Sequence, residues 1–158
     1  MATESCSPAD LVRDLVYRIC LLLDGNKFLE WLELCTPDFQ YTISAWSPEI
    51  RRDMVWLDHD RDGMVNLMRM LPKHNSDQTP LTRHATVYTV DYDAARYQAD
   101  AVTSVVVYAT ALDGGVTELW AVGRYHDTVS VADGVARLRR RNVRLETRSL
   151  GIGKHWPL

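Results

Sequence analysis

Residues 123–141 read Gly-Arg-Tyr-His-Asp-Thr-Val-Ser-Val-Ala-Asp-Gly-Val-Ala-Arg-Leu-Arg-Arg-Arg. Asp133-Gly134 is a hairpin signal, because both residue types tolerate the positive φ that a two-residue turn between twisted strands demands. The run ending at Val131 and the run starting at Val135 therefore read as paired strands. Further back, Asp113-Gly114-Gly115 marks another turn, and Val87 to Val90 and Val102 to Tyr108 are rich in β-branched and aromatic residues. From His84 onward the chain reads as sheet.

The first third has a different period. Ser7-Pro8-Ala9-Asp10 supplies an N-cap, a proline at the first helical position and an acid in the first turn. Leu11, Leu15, Ile19 and Leu22, with Val12, Val16 and Leu23, then form an apolar stripe at helical spacing. Gly25 suits the residue that ends this helix. Asn26 suits the cap of a second one, with Phe28, Trp31, Leu32 and Cys35 on one face and Thr36-Pro37 as its stop. Phe39, Tyr41, Ile43 and Ala45 then alternate with polar residues, as in a half-buried strand. A loop through Ser47-Pro48 leads to Trp56. Met64, Leu67, Met68 and Leu71 give a third, short helix closed by Pro72, followed by a polar surface loop from Lys73 to Pro80. Helices first and a strand meander after is the α+β pattern, with helices covering one sheet face. One domain is expected over residues 1–158.

Composition sets the outer limits. The 158 residues are 46% hydrophobic and 25% charged, which excludes a disordered chain, a collagen and a coiled-coil rod. No apolar run approaches the ~20 residues of a membrane span. A formal charge of -3 argues against general nucleic-acid binding. Glu4 and Asp10 precede the first cation, Arg13, so the start does not read as a signal peptide. Cys6, Cys20 and Cys35 are odd in number and widely spaced, which suits reduced thiols and the cytoplasm.

Several motifs invite chemistry and fall short of it. Asp58-His59-Asp60-Arg61-Asp62-Gly63 matches the opening of an EF-hand loop, but its twelfth position is Arg69, a cation where calcium needs a bidentate glutamate. An acidic first turn for the third helix is the simpler reading. No CxxC pair and no histidine pair at helical spacing favours zinc; His59, His74, His84, His126 and His155 are scattered. Gly151-Ile152-Gly153-Lys154 lacks the glycine spacing of a phosphate loop. Arg137, Arg139, Arg140, Arg141, Arg144 and Arg148 form a basic run. On a regular strand Arg139 and Arg141 share one face, Arg140 and Arg144 the other. A solvated edge and a charged subunit interface both suit it. General acid–base work remains open, with Tyr41, Asp58, His84 or Tyr125 pointing into the hollow of a curved sheet.

Two stretches carry a family resemblance. Pro80-Leu81-Thr82-Arg83-His84-Ala85-Thr86-Val87 resembles the P-S-R-T-R-H-L-V segment of the β (small) subunits of Rieske non-haem-iron ring-hydroxylating oxygenases. Gly123 to Asp127, followed by Asp133 to Arg141, resembles that family's G-R-x-x-D … D-G-x-W-R-I-x-x-R, with Ala136 in place of the tryptophan. The helix from Asp62 to Leu71 is similar to its L-x-x-R-V-x-R-L segment. The length and the tail from Gly151 to Leu158 look closer to the subunits of aromatic-acid oxygenases or of the methanesulfonate monooxygenase branch.

The resemblance implies a cone-shaped nuclear-transport-factor-2-like (cystatin-like) fold, with three N-terminal helical segments on a strongly curved, mostly antiparallel sheet. It implies a non-catalytic subunit that holds catalytic α subunits in an α3β3 assembly. The Rieske [2Fe-2S] cluster and the mononuclear iron would lie in the α chain, served indirectly by a ferredoxin or reductase. This chain shows neither the paired C-x-H and C-x-x-H ligands of such a cluster nor a two-histidine, one-carboxylate triad. Homotrimer contacts through the sheet are expected, with Arg83, His84, Trp120, Arg124, Arg139, Arg141 and Arg144 as interface candidates. The alternative is a stand-alone isomerase, dehydratase or ligand binder of the same fold, with Tyr41, Asp58 and His84 around an internal apolar pocket.

Overall fold

Ser7 starts the first helix by exchanging hydrogen bonds with Asp10: its Oγ accepts the Asp10 amide at 3.2 Å and donates to the Asp10 carboxylate at 2.7 Å. In this computed structural model, which describes residues 6–74, 77–151 and 156–158, helix α1 spans Pro8–Asp24. The readings made on Glu4, on Ile152-Gly153-Lys154, on His155 and on part of the 73–80 stretch lie outside the described residues. Val12, Leu15, Val16, Ile19 and Leu23 are buried, as the stripe requires.

The end of α1 departs from expectation. The left-handed residue is Asn26 (φ 56), while Gly25 keeps φ -82. The Lys27 amide donates to the Leu22 carbonyl at 2.8 Å and the Asn26 amide to Leu23 at 3.1 Å, a Schellman closure with asparagine in glycine's usual place. Asn26 is thus committed to α1. Helix α2, Phe28–Glu33, starts at Lys27 with no side-chain cap.

Strand β1, Cys35–Ser47, begins before Pro37 instead of after it. The ladder to its parallel neighbour is broken between Cys35 and Gln40, so Pro37 sits where no amide is demanded. Strand β2, Arg52–Asp60, replaces the expected loop. Helix α3, Arg61–His74, is capped by the Asp60 carboxylate, which accepts the Gly63 amide at 2.8 Å. The acidic turn therefore serves the helix. Pro72 lies inside the last turn of α3, which continues past it to His74.

Strands β3 (Leu81–Asp93), β4 (Gln98–Thr110), β5 (Thr117–Ala132) and β6 (Val135–Leu145) complete one sheet in the order β2-β1-β6-β5-β4-β3. All neighbours are antiparallel except β1 and β6. Asp133 (φ 52) and Gly134 (φ 73) form the two-residue turn between β5 and β6. Register shifts at Ile43/Ser44, Val87/Thr89, Val107/Tyr108 and Thr128/Val129 place bulges in four antiparallel ladders. Each extra residue bends and twists its strand, and together they curl the sheet around the helices. The α+β, cone-shaped fold is as the resemblance implied. Among the described residues no helix is long and apolar enough to cross a membrane.

The glycine of the Gly-Arg-Tyr-His-Asp motif has a steric role. A Cβ on Gly123 would collide with the Arg144 carbonyl oxygen and press on Leu145 across the β5–β6 ladder. Gly123→Ala is expected to destabilise the protein by roughly 1–3 kcal/mol, as overpacking a rigid backbone contact does. A urea-unfolding midpoint equal to the parent's would refute this account.

Candidate functional site

Strand β6 decides where the arginines go. Leu138 pairs with Val129 and Arg140 with Thr128, so Arg139 is the extra residue of a bulge. Beyond it, Arg141, Val143 and Leu145 point inward, while Arg140, Asn142 and Arg144 point outward. Arg139 does not share a face with Arg141, contrary to the regular-strand expectation. It is exposed and holds Asp38 at 2.9 Å. The Thr36 hydroxyl and then Arg139 keep the Asp38 carboxyl below its usual range.

Arg141 is at 0% exposure and lies directly opposite Asp127 on β5. The two form a bidentate pair, Nε to Oδ1 at 2.8 Å and Nη2 to Oδ2 at 2.7 Å. The guanidinium carbon also lies 3.8 Å from the Tyr125 ring centroid. Burial by itself would lower the Arg141 pKa, but the Asp127 carboxylate reverses this and holds it above the ordinary arginine range. In this chain Arg141 is an interior residue with no surface to offer a partner, which corrects its place among the interface candidates.

Arg83 is corrected for the same reason. Its side chain is 1% exposed and its Nη1 lies 2.7 Å from Asp24, the last residue of α1. Its Nη2 donates to the Pro157 carbonyl. Arg83 therefore ties α1, β3 and the tail together.

The three acid–base candidates are not brought together. Tyr41 points into the cone, is fully buried, and bonds the backbone of Leu158. Asp58 is exposed on β2 and accepts from the Thr42 hydroxyl at 3.3 Å, on the face opposite Tyr41. His84 is exposed on the outer face of β3, edge-on to Tyr108 at 5.4 Å. Tyr125 is inside, and its hydroxyl has no partner among the described residues.

The cone itself is filled. Trp31 packs edge-on against Phe39 and Tyr41, at 6.0 and 5.4 Å between ring centroids. Met64, Met68 and Leu158 close around them. At the mouth, about 10 Å³ remains between Leu23, Phe28, Leu81, Arg83 and Trp156, about the room one water needs. Trp120, itself the extra residue of the β4–β5 bulge, packs against the core, and its Nε1 donates to the Leu150 carbonyl at 3.0 Å. Outside, a groove of about 280 Å³ runs between Leu11, Leu15, Leu34 and Ala136, where the related motif carries a tryptophan.

The outward face carries the remaining candidates. Arg124 lies directly across from Arg144 on β6. Arg144 is tied to Ser44 at 2.9 Å and Asp53 at 3.0 Å. Arg124 is exposed and makes no ion pair among the described residues. Among those residues no three His, Cys, Asp or Glu side chains gather as a metal site.

Two outcomes follow. Asp127→Ala leaves a buried guanidinium uncompensated and should cost about 3–5 kcal/mol, whereas Asp127→Leu with Arg141→Met should cost clearly less. Chemical denaturation of both variants decides it; equal losses would mean that the pair is not the source. The second concerns alkali. Burial pushes the Tyr41 phenol up to about 12, partly offset by its bond to Leu158, and pushes Tyr125 up as well. A raised folded-state pKa gives stability that is complete below the ordinary value of 10.0 and lost as pH rises through about 12. The tyrosinate absorbance of two residues should therefore appear only together with the loss of circular dichroism.

Comparison with known proteins agrees with this arrangement. The SnoaL-like domain family model matches residues 9–142. The β subunit of the methanesulfonate monooxygenase hydroxylase of Methylosulfonomonas methylovora is 45% identical over 157 residues, covering 95% of this chain and 87% of the relative. The β subunit of 2-aminobenzenesulfonate 2,3-dioxygenase of an Alcaligenes species is 32% identical over 147 residues, covering 93% and 97%. A solved β subunit assigned to an aromatic-ring-hydroxylating dioxygenase of Novosphingobium aromaticivorans shares the fold, with a TM-score of 0.73 and 21% identity over 89% of this chain and 90% of that one. With a family model covering most of its length and two oxygenase β subunits aligned nearly end to end, the chain belongs to the SnoaL-like, nuclear-transport-factor-2-like family, in its group of small oxygenase subunits.

Proposed function

We propose that this chain is the non-catalytic β subunit of a Rieske-type oxygenase and that it scaffolds catalytic α subunits in an α3β3 complex. One observation carries the reading: the 45% identity, along nearly the whole chain, to the hydroxylase β subunit of methanesulfonate monooxygenase. Both curated relatives belong to oxygenases named for sulfonates, so a small or aromatic sulfonate is the substrate class assigned to the complex. The Rieske cluster and the mononuclear iron then belong to the α chain, fed by a ferredoxin or reductase that need not touch this subunit. Three free cysteines suit a reducing cytoplasm.

The interior supports a structural role. Tyr41 is spent on the tail, Asp127 and Arg141 on each other, and Asp58 and His84 face away from the cone. The outward face supports an interface. Like charges directly opposite on a sheet repel, so Arg124 beside Arg144 calls for an incoming carboxylate. His84 lies on the same side of the sheet. Trp46, Val55 and Trp56 stand exposed at the β1–β2 edge, next to the Arg144–Asp53 pair. Exposed apolar area beside an arginine, Arg124, that has no ion pair among the described residues suits a contact between unlike chains, and the same face suits homotrimer contacts through the sheet.

Co-expression with the large-subunit reading frame, purified through a tag on this chain, tests it. The expected product has the mass of three plus three chains and carries its iron on the partner. Arg124→Glu should leave the melting temperature of this chain unchanged and reduce the recovered α subunit by at least about tenfold. Recovery of this chain alone, with no iron and no partner, would defeat the reading, and undiminished capture by the variant would remove Arg124 from the interface.

A further inference from the structure

The mouth of the cone is occupied by the chain's own residues 156–158. The Trp156 ring lies against Phe28, with centroids 5.4 Å apart and planes at 37°. Pro157 is buried, and Leu158, at 1% exposure, packs into the core. Two interior side chains hold the segment's backbone. Tyr41 Oη donates to the Leu158 carbonyl at 2.9 Å and accepts the Leu158 amide at 2.8 Å. Arg83 donates to the Pro157 carbonyl while Asp24 fixes the other end of its guanidinium.

These contacts are what a binding site offers a ligand: an apolar floor, an aromatic wall, and a few convergent polar groups. The segment is also the only partner of the Tyr41 phenol among the described residues. Without it, a buried phenol and one edge of a buried guanidinium would lose their acceptors, and Leu23, Phe28 and Leu81 would face an open mouth. Such unsatisfied groups cost free energy until something of matching chemistry restores their bonds.

We propose that the mouth of the cone is a peptide-binding seat, that residues 156–158 are its resident occupant, and that a separate peptide of the same Trp-Pro-Leu chemistry binds there when they are removed. The aromatic ring docks on Phe28, the proline carbonyl takes the Arg83 donor, and the leucine amide and carbonyl both meet Tyr41. The side chain of the leucine fills the floor.

The test uses a chain lacking residues 156–158 and the synthetic peptide acetyl-Trp-Pro-Leu, followed by calorimetric titration and thermal melting. The shortened chain should melt below the full chain, bind one peptide saturably, and regain melting temperature as it does so. The full chain should bind none, because its seat is taken. Adding Tyr41→Phe to the shortened chain should weaken the peptide at least about tenfold, because both hydrogen bonds of the phenol to the leucine backbone are lost. A folded shortened chain that ignores the peptide would overturn the proposal, as would a full chain that binds it equally well. If the shortened chain unfolds, it is refolded with and without peptide: recovery of native circular dichroism only with the peptide supports the seat, and failure in both overturns it.

Discussion

Inside the cone a full positive charge lies beside a full negative one, and much of the structure is arranged so that this is tolerable. An arginine at 0% exposure is costly unless its guanidinium is paired and its remaining faces are covered. Asp127 supplies two hydrogen bonds from the neighbouring strand, and Tyr125, two residues earlier on that strand, supplies its ring. This geometry exists only if residue 127 lies opposite residue 141. The bulge at Arg139 and the β5–β6 register are therefore tied to the ion pair: slipping by one residue would bury Arg140 or Asn142 without a partner. The close approach of β6 to Gly123 belongs to the same alignment, because Arg144 and Leu145 reach it through the register that Asp127 and Arg141 fix.

The pair also gives physical content to the family motif. In the Gly-Arg-Tyr-His-Asp stretch the glycine yields space to the opposite backbone and the aspartate is the buried anion. The arginine that closes the second stretch, Arg141, is its cation. Arg83 of the first motif is a second interior cation, shared between Asp24 and the tail. Residue types that look like surface chemistry in one dimension are interior fasteners in three. Arg124, whose neighbours on the motif point inward, and Arg140 are exposed and make no ion pair among the described residues.

What the sequence made legible follows from locality. Helix α1 and the β5–β6 turn declare themselves through caps, stripes and an Asp-Gly pair within a few residues. Strand β2 does not. It is an edge strand with mostly exposed residues, so no apolar alternation marks it. Counting back from the Asp133-Gly134 turn without a bulge pairs residue 127 with Arg140, which misplaces the ion pair by one position. The Arg83 contacts lie 59 and 74 residues away along the chain, and no local pattern carries such information. The Asn26 closure is hidden for a smaller reason: glycine is the usual left-handed residue, but asparagine also reaches that region, and Gly25 lies one position too early.

The same curved sheet can enclose a catalytic hollow or a packed core, and the choice depends on where its inward polar groups end. A working acid or base must keep a lone pair or a proton free for substrate. Here Asp127 takes two of the Arg141 donors, and Tyr41 is engaged by the backbone of Leu158. Asp58 and His84 lie on the outer face of the sheet, away from the cone. Filling the cone stiffens the sheet, and a stiff sheet holds its outer side chains in fixed positions. Arg124 and Arg144 are thereby held side by side on the outer face. In this chain the inward groups hold one another and the tail, and the outer face carries the exposed charges.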